Sequence, residues 1–127
     1  MIFMISSAKA RKQRKFRFTA PMHVRQNFAN AHISKDLASK LGIKRRAIEV
    51  RKGDTVKVMS GDNKGKTGKV ASVDLKRVSI TVEGVTRKNS KNKELLLAIS
   101  PSSVYLIDLD LTDKYRKAEI DGLKSKK

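Results

Sequence analysis

Positive charge in this chain is segregated from the segment whose hydrophobic pattern can build a core. Residues 1–52 carry 14 basic and 2 acidic side chains, a net of +12, against +2 over 53–83, +3 over 84–100 and +1 over 101–127. With 30 Lys and Arg against 12 Asp and Glu in 127 residues, and a pI near 10.5, the folded body repels itself unless a polyanion neutralises it. Nucleic acid is the first candidate. The length fits one domain with tails and argues against a two-domain enzyme.

The absence of cysteine excludes disulfides, thiolate metal sites and a cysteine nucleophile, as suits a reducing compartment. The apolar start Met1-Ile2-Phe3-Met4-Ile5 has neither the basic region nor the length of an export signal. No later apolar run approaches the roughly 18 residues of a membrane helix, since residues 95–99 are stopped by Ser100-Pro101. The chain reads as soluble, without membrane insertion. Met4-Ile5-Ser6-Ser7 stands directly before the basic run, which predicts that translation begins at Met4.

Residues 9–18 pack six cations into ten positions, with Phe16 and Phe18 as the large apolar residues. Such a run cannot bury enough surface to order itself alone, so it is expected as a basic extension that meets nucleic acid. After Pro21, the spacing of Met22, Val24, Arg25, Phe28 and Ala29 predicts a short helix over residues 21–30. Ser34 is a good N-cap, Leu37, Ala38 and Leu41 share a face, and Gly42 can end the turn, which predicts a helix over Lys35–Leu41. Lys44-Arg45-Arg46 then forms either a solvated linker or a phosphate clamp.

From Glu49 the hydrophobic period changes to two. Val56 and Val58, then Val78, Ile80 and Val82, alternate with polar residues as half-buried strands do. Val70 and Val73 break parity, which predicts a bulge or a doubly covered strand between Lys69 and Asp74. Leu95, Leu97 and Ile99, then Val104 and Leu106, give two more strands punctuated by Pro101. Five short strands joined by tight turns predict a small barrel. In the charged residues 111–127, Tyr115, Ala118 and Ile120 have the spacing to dock a short helix, and the last few residues are expected to fray.

Residues 60–68 contain Gly65-Lys66-Thr67 but have Ser60 where a nucleotide-binding loop requires glycine, and two strands follow in place of a helix. Nucleotide hydrolysis is therefore not expected. The loop reads as a hairpin connection in which Gly61, Gly65 and Gly68 allow positive φ, while Lys64, Lys66 and Lys69 project outward. Leu75-Lys76-Arg77 reads as the next turn, Glu83-Gly84 as another, and residues 86–93 as a polar loop that can face RNA.

Arg51-Lys52-Gly53-Asp54-Thr55-Val56-Lys57-Val58, the glycine loop, Gly68-Lys69-Val70 and Val73-Asp74 resemble a KOW motif. The flanks Ala20-Pro21-Met22-His23-Val24-Arg25, Ile33-Ser34-Lys35-Asp36-Leu37, Val82-Glu83-Gly84-Val85-Thr86-Arg87-Lys88 and Pro101-Ser102-Ser103-Val104 narrow the likeness. Over about residues 6–117 the chain resembles large-subunit ribosomal protein twenty-four in its archaeal and eukaryotic form. It departs at His32, where that family commonly has Pro, and at Ser100, where it has His. The resemblance implies an SH3-like barrel with a basic N-terminal extension and short flanking helices. It also implies binding to large-subunit ribosomal RNA early in assembly, in the cytoplasm, near the nascent-chain tunnel exit. Neighbouring large-subunit proteins and factors docking at that exit are the implied partners.

The expected divisions are a basic extension (1–20), a short helical segment (21–48), the KOW barrel (49–110) and a charged tail (111–127). Candidate RNA contacts are Lys9, Arg11, Lys12, Arg14, Lys15 and Arg17 in the extension and His23, Arg25, Lys44, Arg45 and Arg46 after it. From the barrel come Arg51, Lys52, Lys64, Lys66, Lys69, Arg87, Lys88, Asn89 and Lys91. Two histidines, His23 and His32, without cysteine make no closed metal site, and Ser90, Ser100 and Ser102 lack a histidine partner in sequence, so neither a cofactor nor catalysis is expected. Asp54, Asp62 and Asp74 sit at turns and read as structural. Phe16 and Phe18 either anchor the extension or wedge against nucleotides, with anchoring favoured. The expected mechanism is scaffolding, in which an extended leader, reaching roughly 66 Å over about twenty residues, follows RNA grooves. A KOW-type transcription-elongation factor meeting polymerase and nascent RNA is the alternative. A membrane-surface protein is disfavoured because no apolar helix face accompanies the basic run.

Overall fold

Alternating valines and isoleucines need a second surface to cover them, and here they obtain it by joining one sheet. The computed structural model describes residues 5–125, the last by its backbone. The start at Met4 and the end of the lysine-rich tail lie outside the described residues. The strands are β1 (Asn30–Ile33), β2 (Ala47–Glu49), β3 (Thr55–Val58), β4 (Thr67–Asp74), β5 (Ser79–Lys88), β6 (Glu94–Ile99) and β7 (Val104–Asp108). Their order across the sheet is β2-β1-β7-β3-β4-β5-β6. β1 and β7 run parallel and all other neighbours antiparallel.

The fold is mainly β with short helices, as the KOW pattern predicts, and the five expected strands are β3 to β7. The sheet is nevertheless open: β2 and β6 are its two ends and do not pair with each other, so no barrel closes. β1 and β2 lie in the segment expected to be helical. Each buries one residue, Ala31 and Ile48, too few to show a period, and the strands exist because non-local backbone pairs Ala31 with Ile48 and His32 with Tyr105. The expected bulge in β4 is present between Val70 and Ser72. Glu83-Gly84 is not a turn: β5 runs through Gly84 (φ +82°) to Lys88, with a register shift between Thr81 and Thr86, so the glycine serves a bulge within the strand. The polar loop shortens to a hairpin tip closed by Asn89 N–H donating to the Lys93 carbonyl at 2.9 Å.

Among the described residues four α-helices accompany the sheet: α1 (Ala10–Thr19), α2 (Met22–Arg25), α3 (Lys35–Leu41) and α4 (Lys114–Ser125). α3 forms as expected: Ser34 Oγ accepts from Leu37 N–H at 3.2 Å and Gly42 is left-handed at φ 66°. The helix expected over 21–30 is shorter. Pro21 occupies the cap of α2, a tighter 3-10 turn covers Gln26–Ala29, and Asn30 already belongs to β1. The basic run, expected to lack order alone, forms α1 without a buried residue. Its Ala, Arg, Lys and Gln are strong helix formers, a local term that a burial argument omits. Phe16 fastens it by an edge contact with Phe28, ring centroids 6.1 Å apart, while Phe18 remains 70% exposed.

Of the three residues expected to dock the C-terminal helix α4, Ile120 is buried and the other two are not. Tyr115 (86% exposed) and Ala118 point outward, and Arg116, Ile120 and Leu123 point inward at spacings of four and three. Arg116 (3% exposed) pairs with Asp54 (0% exposed): Nη1 donates to Oδ1 at 2.5 Å and Nη2 to Oδ2 at 2.7 Å. The same guanidinium reaches the carbonyls of Asp110 and Glu49, each at 3.1 Å. Asp54 also accepts the backbone N–H groups of Arg51 (2.9 Å) and Asp110 (3.0 Å), which makes it the structural turn residue expected. Asp74 likewise accepts from the N–H of Lys76 at 2.9 Å, and Asp62 stays exposed on the glycine loop.

Val58 is 1% exposed, so Val58→Asp, by placing an unpaired carboxylate there, costs about 4 kcal/mol or more and abolishes the strand signal in circular dichroism. Arg116→Met strands the Asp54 charge and lowers stability by about 3–5 kcal/mol, measurable by urea titration, whereas Tyr115→Ala leaves the midpoint in place.

Candidate nucleic-acid interface

Five of the six cations of the basic run stand on a helix about 15 Å long at 1.5 Å per residue, with Lys9 at its cap, and this helix replaces the extended leader. Lys9, Arg11, Lys12, Arg14, Lys15 and Arg17 are all exposed. Arg17 also lies over the Phe28 ring, 5.6 Å from its centroid. Arg25 is half-buried and its guanidinium is occupied by backbone: it donates to the Ala20 carbonyl (2.9 Å), the Lys76 carbonyl (3.0 Å) and the Phe18 carbonyl. Those bonds seat the end of α1 beside the turn between β4 and β5. His23 is exposed on α2.

The opposite end of the sheet carries the other cationic loops. β4 and β5 are antiparallel, so the start of β4 and the end of β5 fall together, and with them the glycine loop and the hairpin tip. Lys64, Lys66 and Lys69 are exposed, as are Arg87, Lys88, Asn89 and Lys91. Gly61 and Gly65 have φ of 89° and 90°, as expected. Gly68 does not: its role is close approach, because a Cβ there would strike the Glu83 carbonyl oxygen and stand 2.9 Å from Val82 Cγ1. Lys66 Nζ donates to Asn63 Oδ1 at 2.9 Å, which steadies the loop. Lys44, Arg45 and Arg46 are exposed between α3 and β2; Lys52 is exposed, and Arg51 is held by Asp113 at 3.0 Å.

Most of the predicted contacts thus lie toward opposite ends of the strands, while Arg51, Lys52 and Lys69 lie at the corner before and beside β3. Two features escaped the sequence reading. Arg116 was hidden because a charged residue in a charged tail reads as solvated. The His32–Tyr105 ring pair, centroids 5.9 Å apart, joins strands distant in sequence, and only the parity of Val104 and Leu106 signals that Tyr105 faces outward. Among the described residues no group of three or more His, Asp and Glu could hold a metal, and no helix is long and apolar enough to cross a membrane.

A family model that unites the eukaryotic ribosomal proteins L26 with their archaeal L24 counterparts matches residues 7–122. The chain belongs to this family. It is similar to the large ribosomal subunit protein uL24 of Pyrobaculum islandicum, 50% identical over 119 residues, 94% of this chain and 95% of that protein. The uL24 proteins of Methanocella arvoryzae and Methanothrix thermoacetophila are 46% and 50% identical over 93% and 87% of this chain, and 94% of each relative is covered. Membership makes the chain a ribosomal protein of the large subunit, and the family's role is structural rather than enzymatic.

In this ribosomal protein the surroundings of Glu49 and Asp110 shift their carboxyl groups in opposite directions. Burial pushes the Glu49 carboxyl above the usual 4.5; Arg51 opposes this, Glu119 adds to it, and Arg116 opposes it. The hydroxyl of Thr112 and then its N–H hold the Asp110 carboxyl below the usual 3.8. A raised Glu49 contributes stability that is fully present below 4.5 and lost as pH rises through the folded value. Glu49→Gln therefore melts higher than the parent at pH 7, and thermal scans show the gap closing as pH falls through the raised folded value and gone below 4.5.

Proposed function

We propose that the protein binds large-subunit ribosomal RNA as a rigid bridge, gripping it at both ends of the sheet. The observation that carries this reading is uncompensated charge. Among the described residues only Arg51, Arg116 and Lys124 have a carboxylate within 4.0 Å, on a chain of net charge +18. Cations so placed gain affinity by releasing counterions from RNA phosphates. The contacts run through the exposed residues of α1 and Lys44, Arg45 and Arg46 at one side, and through the glycine loop and hairpin tip at the other. Arg25 contributes by orienting α1.

Family membership supports the finer setting: early entry into the assembling large subunit, a cytoplasmic ribosome, neighbouring large-subunit proteins, and a position near the exit of the nascent-chain tunnel. A rigid sheet with two cationic ends suits early assembly, because it can hold two RNA segments at a fixed separation before other proteins arrive.

Deleting residues 1–19 keeps the buried Ala20 and the sheet but removes six cations. At about 0.7–0.9 per phosphate contact, the slope of log affinity against log salt for ribosomal RNA falls by about four to five. Filter binding between 50 and about 200 mM salt measures it, and an unchanged slope refutes the role given to α1.

A further inference from the structure

His32 on β1, Tyr105 on β7 and Lys57 on β3 stand side by side in register across three neighbouring strands. Their strand neighbours Ala31, Val104, Leu106, Val56 and Val58 are buried, so the three lie on the opposite, solvent face. Tyr105 is 39% exposed, and the His32 ring meets it edge-on at 68°. Beside this pair lies an open recess of about 310 Å³. Ile33, Ala38 and Ile43 form its apolar part, Lys35, Lys44, Arg45 and Arg46 its cationic rim, and no acidic side chain lines it.

An occupant must satisfy three demands at once: a flat face for the tyrosine, apolar bulk for the recess, and negative charge for the rim. A base held in a duplex offers only its edges, because both faces are stacked. A nucleotide whose base has left the stack offers all three, and the recess has the lower size of a small-molecule site, about 300 Å³. We propose that this recess takes one unpaired nucleotide of the bound RNA, its base stacked on Tyr105 and its flanking phosphates on Lys44 and Arg46. Lys57, about 4.8 Å away at one strand spacing, continues the cationic path toward Thr67 and the glycine loop, since Lys57 pairs with both Tyr105 and Thr67. The proposal rests on the RNA-binding reading and adds a preference that charge alone does not give, for single-stranded over paired RNA.

The test uses the full chain with two fluorescent probes: a twelve-nucleotide oligouridine, whose bases stack weakly on one another, and a fully paired RNA duplex of the same length. Anisotropy titrations are run at several salt concentrations. Tyr105→Ala is expected to weaken oligouridine binding about five- to hundredfold, the loss of one stacked base, with the duplex affinity and the salt slope unchanged. Tyr105→Phe keeps the parent affinity. Lys44→Gln with Arg46→Gln weakens both probes and lowers the slope. The exposed ring makes the variants foldable, and an unchanged thermal midpoint checks it. If Tyr105→Ala binds oligouridine as the parent does, or loses both probes equally, the recess is not a base site, while RNA binding by the parent still stands. If the parent binds neither probe, the RNA-binding reading falls and this one with it.

Discussion

The buried pair of Asp54 and Arg116 is the constraint on which the rest of the architecture depends. One carboxylate accepts from a guanidinium and from two backbone N–H groups, and that guanidinium reaches two further carbonyls. The partners belong to two stretches, the corner from the end of β2 to the start of β3 and the segment from the end of β7 into α4, with Asp54 and Arg116 62 residues apart in the chain. Burying two charges is costly, and the cost is offset only when every donor and acceptor is matched, as here. No buried side-chain nitrogen or oxygen among the described residues is left without a partner. The corner also fixes Gly53: its φ is +95°, and a Cβ would lie 2.6 Å from Asp110 Oδ2, so both conformation and space demand glycine.

That clasp lets the protein carry its charge outside. Among the described residues the core holds one cation matched to one anion, and the other basic groups are exposed or, like Arg25 and Arg51, half-buried, where water and counterions screen them until RNA replaces both. The end strand β6 follows the same logic. Leu95 and Leu96 are exposed on an edge, which invites pairing with another chain, and Lys91 and Lys93 beside them make approach by a second cationic copy unfavourable.

What the sequence discloses here follows the range of the interaction involved. Alternation placed β3 to β7, and the Ser34 and Gly42 caps placed α3, because those signals act within a few residues. The parity break in β4 disclosed its bulge for the same reason. β1 and β2 were illegible because their cause is pairing between segments that a local pattern does not compare, and the open sheet followed from their addition. The face of α4 was legible at Ile120 alone, because Tyr115 and Ala118 look better suited to docking than Arg116 until Asp54 is known to wait for it. For the interface, residue type disclosed the cations as a class, whereas their division between two ends, and the outward pairing of His32 with Tyr105, emerged only from strand order.

Arg25 shows why charge count alone does not describe such a surface. In the sequence it is one more cation among many; in the fold its three donors diverge to Phe18, Ala20 and Lys76, joining the end of α1 to the turn after β4. A lysine there would keep the charge but present a single ammonium group to carbonyls that the planar fork of arginine meets together. The helix would then hang from the aromatic contacts of Phe28 alone, free to swing, and its five cations would meet RNA with an orientation that has to be fixed at the moment of binding. Because ordering of that kind subtracts from affinity, a cation that touches no phosphate can strengthen every contact made by those that do.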